Sequence, residues 1–205
     1  MPSNPLPPLI LASSSPARRA LLGRLGLEFD CLSPEVDERA LPGETAAQTA
    51  QRLAVAKACA VAALHPEALV IGADQVAECP VPGGTIHLGK PLTAGAAVAQ
   101  LQQCSGQAVW FWTALALVGP ARAGTGTALW QHLDRTCVQF RTLDRAEIER
   151  YVDFDQPLGC AGSFKAESLG ISLFQALHSA DPTALIGLPL LSLCQGLRDQ
   201  GWALP

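Results

Sequence analysis

Runs of apolar residues and breaks of polar ones lay out an alternation of strands and helices along the chain. Leu9–Ala12 is a four-residue apolar run, the length of a buried strand. It stops at Ser13-Ser14-Ser15-Pro16, where Ser15 suits an N-cap and Pro16 the first helical position. "FDCLS" (29–33) predicts a short strand, and "PEVDERALPGET" (34–45), polar and broken by Pro and Gly, a loop. Thr45 to Leu64 is Ala-rich and almost free of breakers, which predicts a long helix closed by His65-Pro66. "ALVIGADQVAE" (68–78) reads as a strongly apolar strand, and "CPVPGGTIHLGKPLT" (79–93) as a loop or hairpin. Thr93 caps a predicted helix over Ala94–Cys104. Ala108–Gly119 and "TALWQHLDRTCVQFRTL" (127–143) predict two antiparallel strands, with Gly119–Gly126 as their flexible connection. Asp144 caps a helix over Arg145–Val152, "LGISLFQAL" (169–177) reads as one more strand, and Pro189–Gln200 as an amphipathic last helix.

No repeat and no long linker interrupts this order, so residues 1–205 read as one domain. βα units mixed with a long hairpin favour an α/β fold with a mixed sheet. The composition, 49% hydrophobic and 16% charged, is that of a globular chain rather than a disordered one. A net charge of −4 weighs against nucleic-acid polymers as partners, while leaving room for a local basic pocket. "MPSNPLPPLI" lacks the basic and apolar regions of a signal peptide, and no apolar stretch is long enough to span a bilayer. The 7 cysteines are dispersed, with no CxxC, HExxH or finger spacing. They read as reduced thiols of a cytoplasmic protein, mostly small core residues, and zinc is not expected. The last helix suits either the core or the interface of a homodimer.

Gly84–Lys90 fits GxxxxGK, but Pro91 follows where a phosphate-binding loop needs a hydroxyl and a helix start. Lys90 then reads either as a phosphate contact or as a solvated loop lysine. Ser13, Ser15, Arg18 and Arg19 present a sharper question, because the start of a helix is already positive and two guanidinium groups are added to it. Hydroxyls, helix N–H groups and guanidiniums together make an anion site. The alternative is a plain cap with solvated arginines. Asp74 closes the apolar "ALVIGAD", at the end of a strand where open α/β sheets place ligands, and polar Gln75 follows it. Lys57 interrupts the apolar "LAVAKACAVAAL"; taken alone it reads as a lysine reaching out to solvent. Lys165 and Glu167 in "SFKAES", and Glu35, Asp37 and Glu38 in "PEVDE", are weak signals singly. As a set these residues suit metal-dependent chemistry on a polyphosphate: cations hold phosphates, and carboxylates hold magnesium or manganese and activate water.

The stretches "LILASSSPARRALLGRLGLEF", "PEVDE", "RLAVAKA", "VIGADQVA", "LGKPLT", "AGSFKAESLGISLF" and "IGLPLLSLC" occur in an order and spacing that resemble the Maf nucleoside triphosphate pyrophosphatases over nearly the whole chain. The resemblance implies a mixed, elongated sheet flanked by helices, with a cleft between two lobes. It implies a cytoplasmic enzyme that uses a divalent cation to cleave the α–β bond of a nucleoside triphosphate. The matching positions are Ser13, Arg18, Glu38, Lys57, Asp74 and Lys90, with Asp74 as proton acceptor, and Glu38 with Asp74 as candidate metal ligands. Gln75, Lys165 and Glu167 match the branch that cleaves 7-methyl-GTP. A carboxylate at Glu167 can accept from the guanine N1–H and amine. Ala17 stands where that branch is expected to carry Trp, leaving Trp110 or Trp112 to supply an aromatic face. A dTTP/UTP-type pyrophosphatase and a non-catalytic, nucleotide-binding regulator of septum formation are the alternatives.

Overall fold

The computed structural model describes residues 6–120, 124 and 128–204. β1 (Leu9–Ala12) leads into α1 (Pro16–Gly23), whose N-cap Ser15 accepts from the Arg18 N–H. β2 (Asp30–Leu32) and a long loop precede α2 (Ala46–Ala62), which Thr45 and Gln48 open with a reciprocal capping box. β3 (Leu69–Val81) and β4 (Gly84–Leu88) form an antiparallel hairpin. The GxxxxGK stretch therefore lies largely in a strand, not in a phosphate loop. α3 (Ala94–Cys104), capped by Thr93, precedes β5 (Ala108–Val118) and β6 (Trp130–Phe140). Most of the predicted 119–126 connection lies outside the described residues. α4 (Arg145–Asp155) is capped by Asp144 and runs three residues beyond the predicted Val152. β7 (Phe174–His178) and α5 (Leu190–Asp199) complete the chain.

The predicted strand over 169–177 is half right. Leu169–Leu173 winds into a 3₁₀ turn and only Phe174–His178 is extended. The cause is local: the Gly170 N–H is drawn back to the Lys165 carbonyl, and an apolar run alone does not distinguish a strand from such a turn.

Among the described residues the strands form one mixed sheet in the order β2-β1-β3-β5-β6-β7, with β4 beside β3. β1 pairs in parallel with both β2 and β3, and β6 pairs antiparallel with β7. The chain falls into two compact units: residues 1–74, 113–134 and 181–205, and residues 75–112 and 135–180. The core of the first gathers Leu9 and Leu11, Leu21 and Leu22, Leu69 and Ile71, Leu115 and Leu117, and Leu193 and Leu197, so that α1 and α5 bury their apolar faces on β1, β3 and β5. The second is built on four phenylalanines, Phe111, Phe140, Phe164 and Phe174, in edge-to-face contacts with centroids 4.9 to 5.7 Å apart. All seven cysteines are free; Cys79, Cys104 and Cys137 are buried, whereas the other four are part-exposed rather than core residues. No helix among the described residues is long and apolar enough to cross a membrane.

Candidate active site

A close crossing of α2 over β3 sets the centre of the first unit. Gly72 has no side chain where one would meet α2: a Cβ there would lie 2.1 Å from the Ala54 carbonyl oxygen and 2.8 Å from the Ala58 Cβ. Small residues on both elements let the backbones touch. Lys57 lies on the same buried stripe of α2, and its ammonium reaches the Asp74 carboxylate at 2.6 Å. It also pairs with Glu38 at 2.6 Å. Lys57 is only 5% exposed, so it is not the solvent-reaching lysine that its helix suggests in isolation. A buried ammonium needs such partners. Asp74 is 7% exposed and sits within the thirteen-residue β3 rather than at its end, because the strand continues into the hairpin with β4.

Burial pushes the Asp74 carboxyl above its usual pKa, and the charge of Glu38 pushes in the same direction, while Lys57 and Arg18 pull it down. Arg18 is lowered by burial and held up by Asp74 and Glu38. These four side chains thus form one electrostatic cluster of two cations and two carboxylates. Ser13 is buried and its Oγ accepts the Ser15 N–H at 3.1 Å, which fixes the turn into α1. Ala17 is half-buried in the first turn. Arg19 points elsewhere: it is exposed, and its charge acts on the Cys31 thiol. Among the described residues no three or more of His, Cys, Asp and Glu gather into a cage. The Glu38–Asp74 pair nonetheless fits magnesium, which takes one or two carboxylates and fills its other positions with water and substrate phosphates.

Two supports of this cluster were not singled out from the sequence. Arg52, five residues before Lys57, makes a two-pronged bond to Glu44, with Nε to Oε1 at 2.5 Å and Nη2 to Oε2 at 2.7 Å, and also donates to the Arg39 carbonyl. It therefore clamps the loop that carries Glu38 onto α2. Its guanidinium holds the Glu44 carboxyl down to about 2. Arg18 in turn donates to the Gly187 carbonyl at 2.9 Å. Buried Asp181 organises that segment, accepting from the Thr183 N–H at 2.8 Å and from the Leu191 N–H in the first turn of α5 at 2.7 Å. The only sequence signal for these supports is a charged or polar residue beside a motif, and loop partners have no fixed spacing.

Gln75, Lys90, Lys165 and Glu167 belong to the second unit. Lys90 and Glu167 are exposed, and Gln75 is half-buried. Cys160 lies within reach of Glu167, Lys165 and Lys90: its thiol is raised first by burial and then by Glu167 and Asp155, and lowered by Lys165 and Lys90. The Lys165 ammonium donates to the backbone carbonyl of Asp155 at 2.5 Å. Trp110 and Trp112 lie on the face of β5 opposite Phe111, by strand alternation. They flank the Arg135 guanidinium, 4.5 and 5.7 Å from the ring centroids, and the Trp112 indole donates to Glu78. The loop bearing Lys165 and Glu167 starts at Phe164, on the Phe111 side. The two tryptophans thus lie on the other face of β5 from that phenylalanine.

Comparison with known proteins gives this arrangement a setting. A "7-methyl-GTP pyrophosphatase" of Xanthomonas axonopodis pv. citri is 54% identical over 200 residues, which is 98% of this chain and 100% of the relative. Proteins of the same name from Aromatoleum aromaticum and Pseudomonas putida are 51% and 50% identical, over 96% and 97% of this chain and 97% and 99% of their own. A solved nucleoside-triphosphatase, a dITP/XTP pyrophosphatase from Mycobacterium abscessus, aligns with a TM-score of 0.45 at 16% identity over 93% of each chain. The family profile described as Maf-like protein matches residues 8–200. With the ordered motifs spread along both units and relatives of half-identical sequence over nearly their full length, the chain belongs to the Maf family.

Proposed function

We propose that the chain is a 7-methyl-GTP pyrophosphatase acting on free nucleotides in the cytoplasm, splitting its substrate with water into 7-methyl-GMP and pyrophosphate. The observation that carries the chemistry is the buried Lys57 ammonium held 2.6 Å from both Asp74 and Glu38 with Arg18 beside them. Asp74 takes a proton from the attacking water. The water oxygen bonds to phosphorus, the α–β anhydride bond breaks, and its electron pair leaves on pyrophosphate. Lys57, Arg18 and Lys90 neutralise phosphate charge, and the hydroxyls of Ser13 and Ser15 with the start of α1 add donors. Glu38 and Asp74 would hold a magnesium or manganese ion, whose charge stabilises the phosphate oxygens when it is bound.

The base assignment is supported by the relatives' shared name and by Glu167 and Gln75. A carboxylate suits the N1–H and amine edge of guanine, and its charge suits a base made cationic by methylation. Asp74→Asn tests the mechanism, because it removes the acceptor while leaving Lys57 paired with Glu38. Loss of proton transfer costs about 10²–10⁴-fold in rate, to be read as pyrophosphate release with circular dichroism unchanged. Turnover within threefold of the parent would refute the role of Asp74.

A further inference from the structure

Glu167 is exposed and lies on a loop, yet a carboxylate discriminates between bases only when its position is set in advance. Lys165 is the node of the surrounding frame. Its carbonyl accepts the N–H of Ser168 at 3.2 Å and of Gly170 at 3.1 Å, so residues 165–170 close on themselves. Gly170 approaches so closely that a Cβ there would lie 2.4 Å from that oxygen. The Lys165 N–H donates to the Tyr151 phenol at 3.0 Å, and its ammonium to the Asp155 carbonyl at the end of α4. A cation is favoured at a helix C-terminus. The Ser168 hydroxyl donates to Asp155 Oδ1 at 2.6 Å. Tyr151 and Asp155 are one helical turn apart on the buried face of α4. Both residues that bracket Ala166-Glu167 are therefore tied to the same turn of one helix. Phe164, just before them, is locked among Phe111, Phe140 and Phe174.

We infer that Tyr151, Asp155 and Ser168 are positioning residues for base recognition, and that Lys165 serves this frame rather than the substrate phosphates. The inference rests on the reading of Glu167 as the group that meets the base. The three residues act through Glu167, so their removal lowers kcat/KM for 7-methyl-GTP mainly through KM and has no effect of its own once Glu167 is gone.

A double-mutant cycle tests this. Ser168→Ala removes the donor to Asp155 and Tyr151→Phe the acceptor of the Lys165 N–H, and each is expected to lower kcat/KM for 7-methyl-GTP about tenfold. In a Glu167→Ala background each should change it less than about twofold. Asp155→Ala should match them, and Asp155→Asn, which keeps an acceptor oxygen for Ser168, should restore most of the loss. Amide hydrogen exchange gives a readout independent of turnover: Tyr151→Phe should raise exchange at the Lys165 amide about tenfold. Unchanged kcat/KM in the single variants, or equal losses with and without Glu167, would overturn the inference. If the parent protein hydrolyses no 7-methyl-GTP, the proposed function fails on its own account. The exchange result then decides the frame, and unchanged protection at Lys165 would overturn it.

Discussion

Gly72→Ala is the smallest change that should separate the cluster from its scaffold. The added Cβ would sit 2.1 Å from the Ala54 carbonyl oxygen and 2.8 Å from the Ala58 N and Cβ. Two of these three are backbone atoms, so no side-chain rotation relieves the clash. Ordinary contact needs roughly 3.5 Å, so α2 must retreat from β3 by about 1 Å or more. The 2.6 Å bond between Lys57 and Asp74 opens with it, beyond charge-assisted hydrogen-bond range. Overpacking of this kind costs about 1–3 kcal/mol or more. At roughly 2–4 °C per kcal/mol for a chain of this size, Tm should fall by about 2–12 °C. A displacement of about 1 Å at a reacting group costs on the order of 10²-fold in rate. The assay is a thermal melt beside initial rates of pyrophosphate release. Gly95→Ala, with open space around its Cβ, is the control and should leave the rate unchanged and Tm equal or slightly higher. A Gly72→Ala protein that melts within 1 °C of the parent with full kcat would show that the close approach of α2 to β3 does not set the Lys57–Asp74 distance.

The Glu44–Arg52 clamp predicts a pH dependence of stability. The folded carboxyl is held down to about 2 against an ordinary value of 4.5, so its contribution is fully present above about pH 4.5 and is lost as pH falls through about 2. The Tm gap between the parent and Glu44→Gln should be widest near neutrality and close toward pH 2; a gap that stays constant with pH would contradict the assignment. Asp181→Ala strands the Thr183 and Leu191 N–H groups, so denaturant melts should show a loss of about 2–4 kcal/mol. The same variant should weaken the hold of Gly187 on Arg18 and raise KM more than it lowers kcat.

Much of the scaffold was legible because its signals are local. Ser15, Thr93 and Asp144 cap the helices that their positions predict, Thr45 caps the helix predicted to begin with it, and the apolar runs at Leu9 and Ala108 are strands. The excess of cations at the start of α1 pointed to an anion site, and Arg18 does face the carboxylates whereas Arg19 does not. The helix around Lys57 does not reveal its burial, because that burial is sustained by Asp74, seventeen residues away, and by Glu38 from a loop. The roles of Arg52 and Asp181 come from loop geometry that hydrophobic periodicity does not encode. The tryptophans show the same limit: alternation puts Trp110 and Trp112 together on one face, but nothing local says that Arg135 lies between them.

The decisive measurement is pyrophosphate release in the presence of magnesium or manganese, with 7-methyl-GTP, GTP, UTP, CTP and dTTP at equal concentration. The highest kcat/KM is expected for 7-methyl-GTP, with loss of that preference in Glu167→Ala. A preference for dTTP or UTP would contradict the base assignment and leave the Lys57–Asp74 chemistry standing. Tight binding without turnover of any of the five would contradict the enzyme itself.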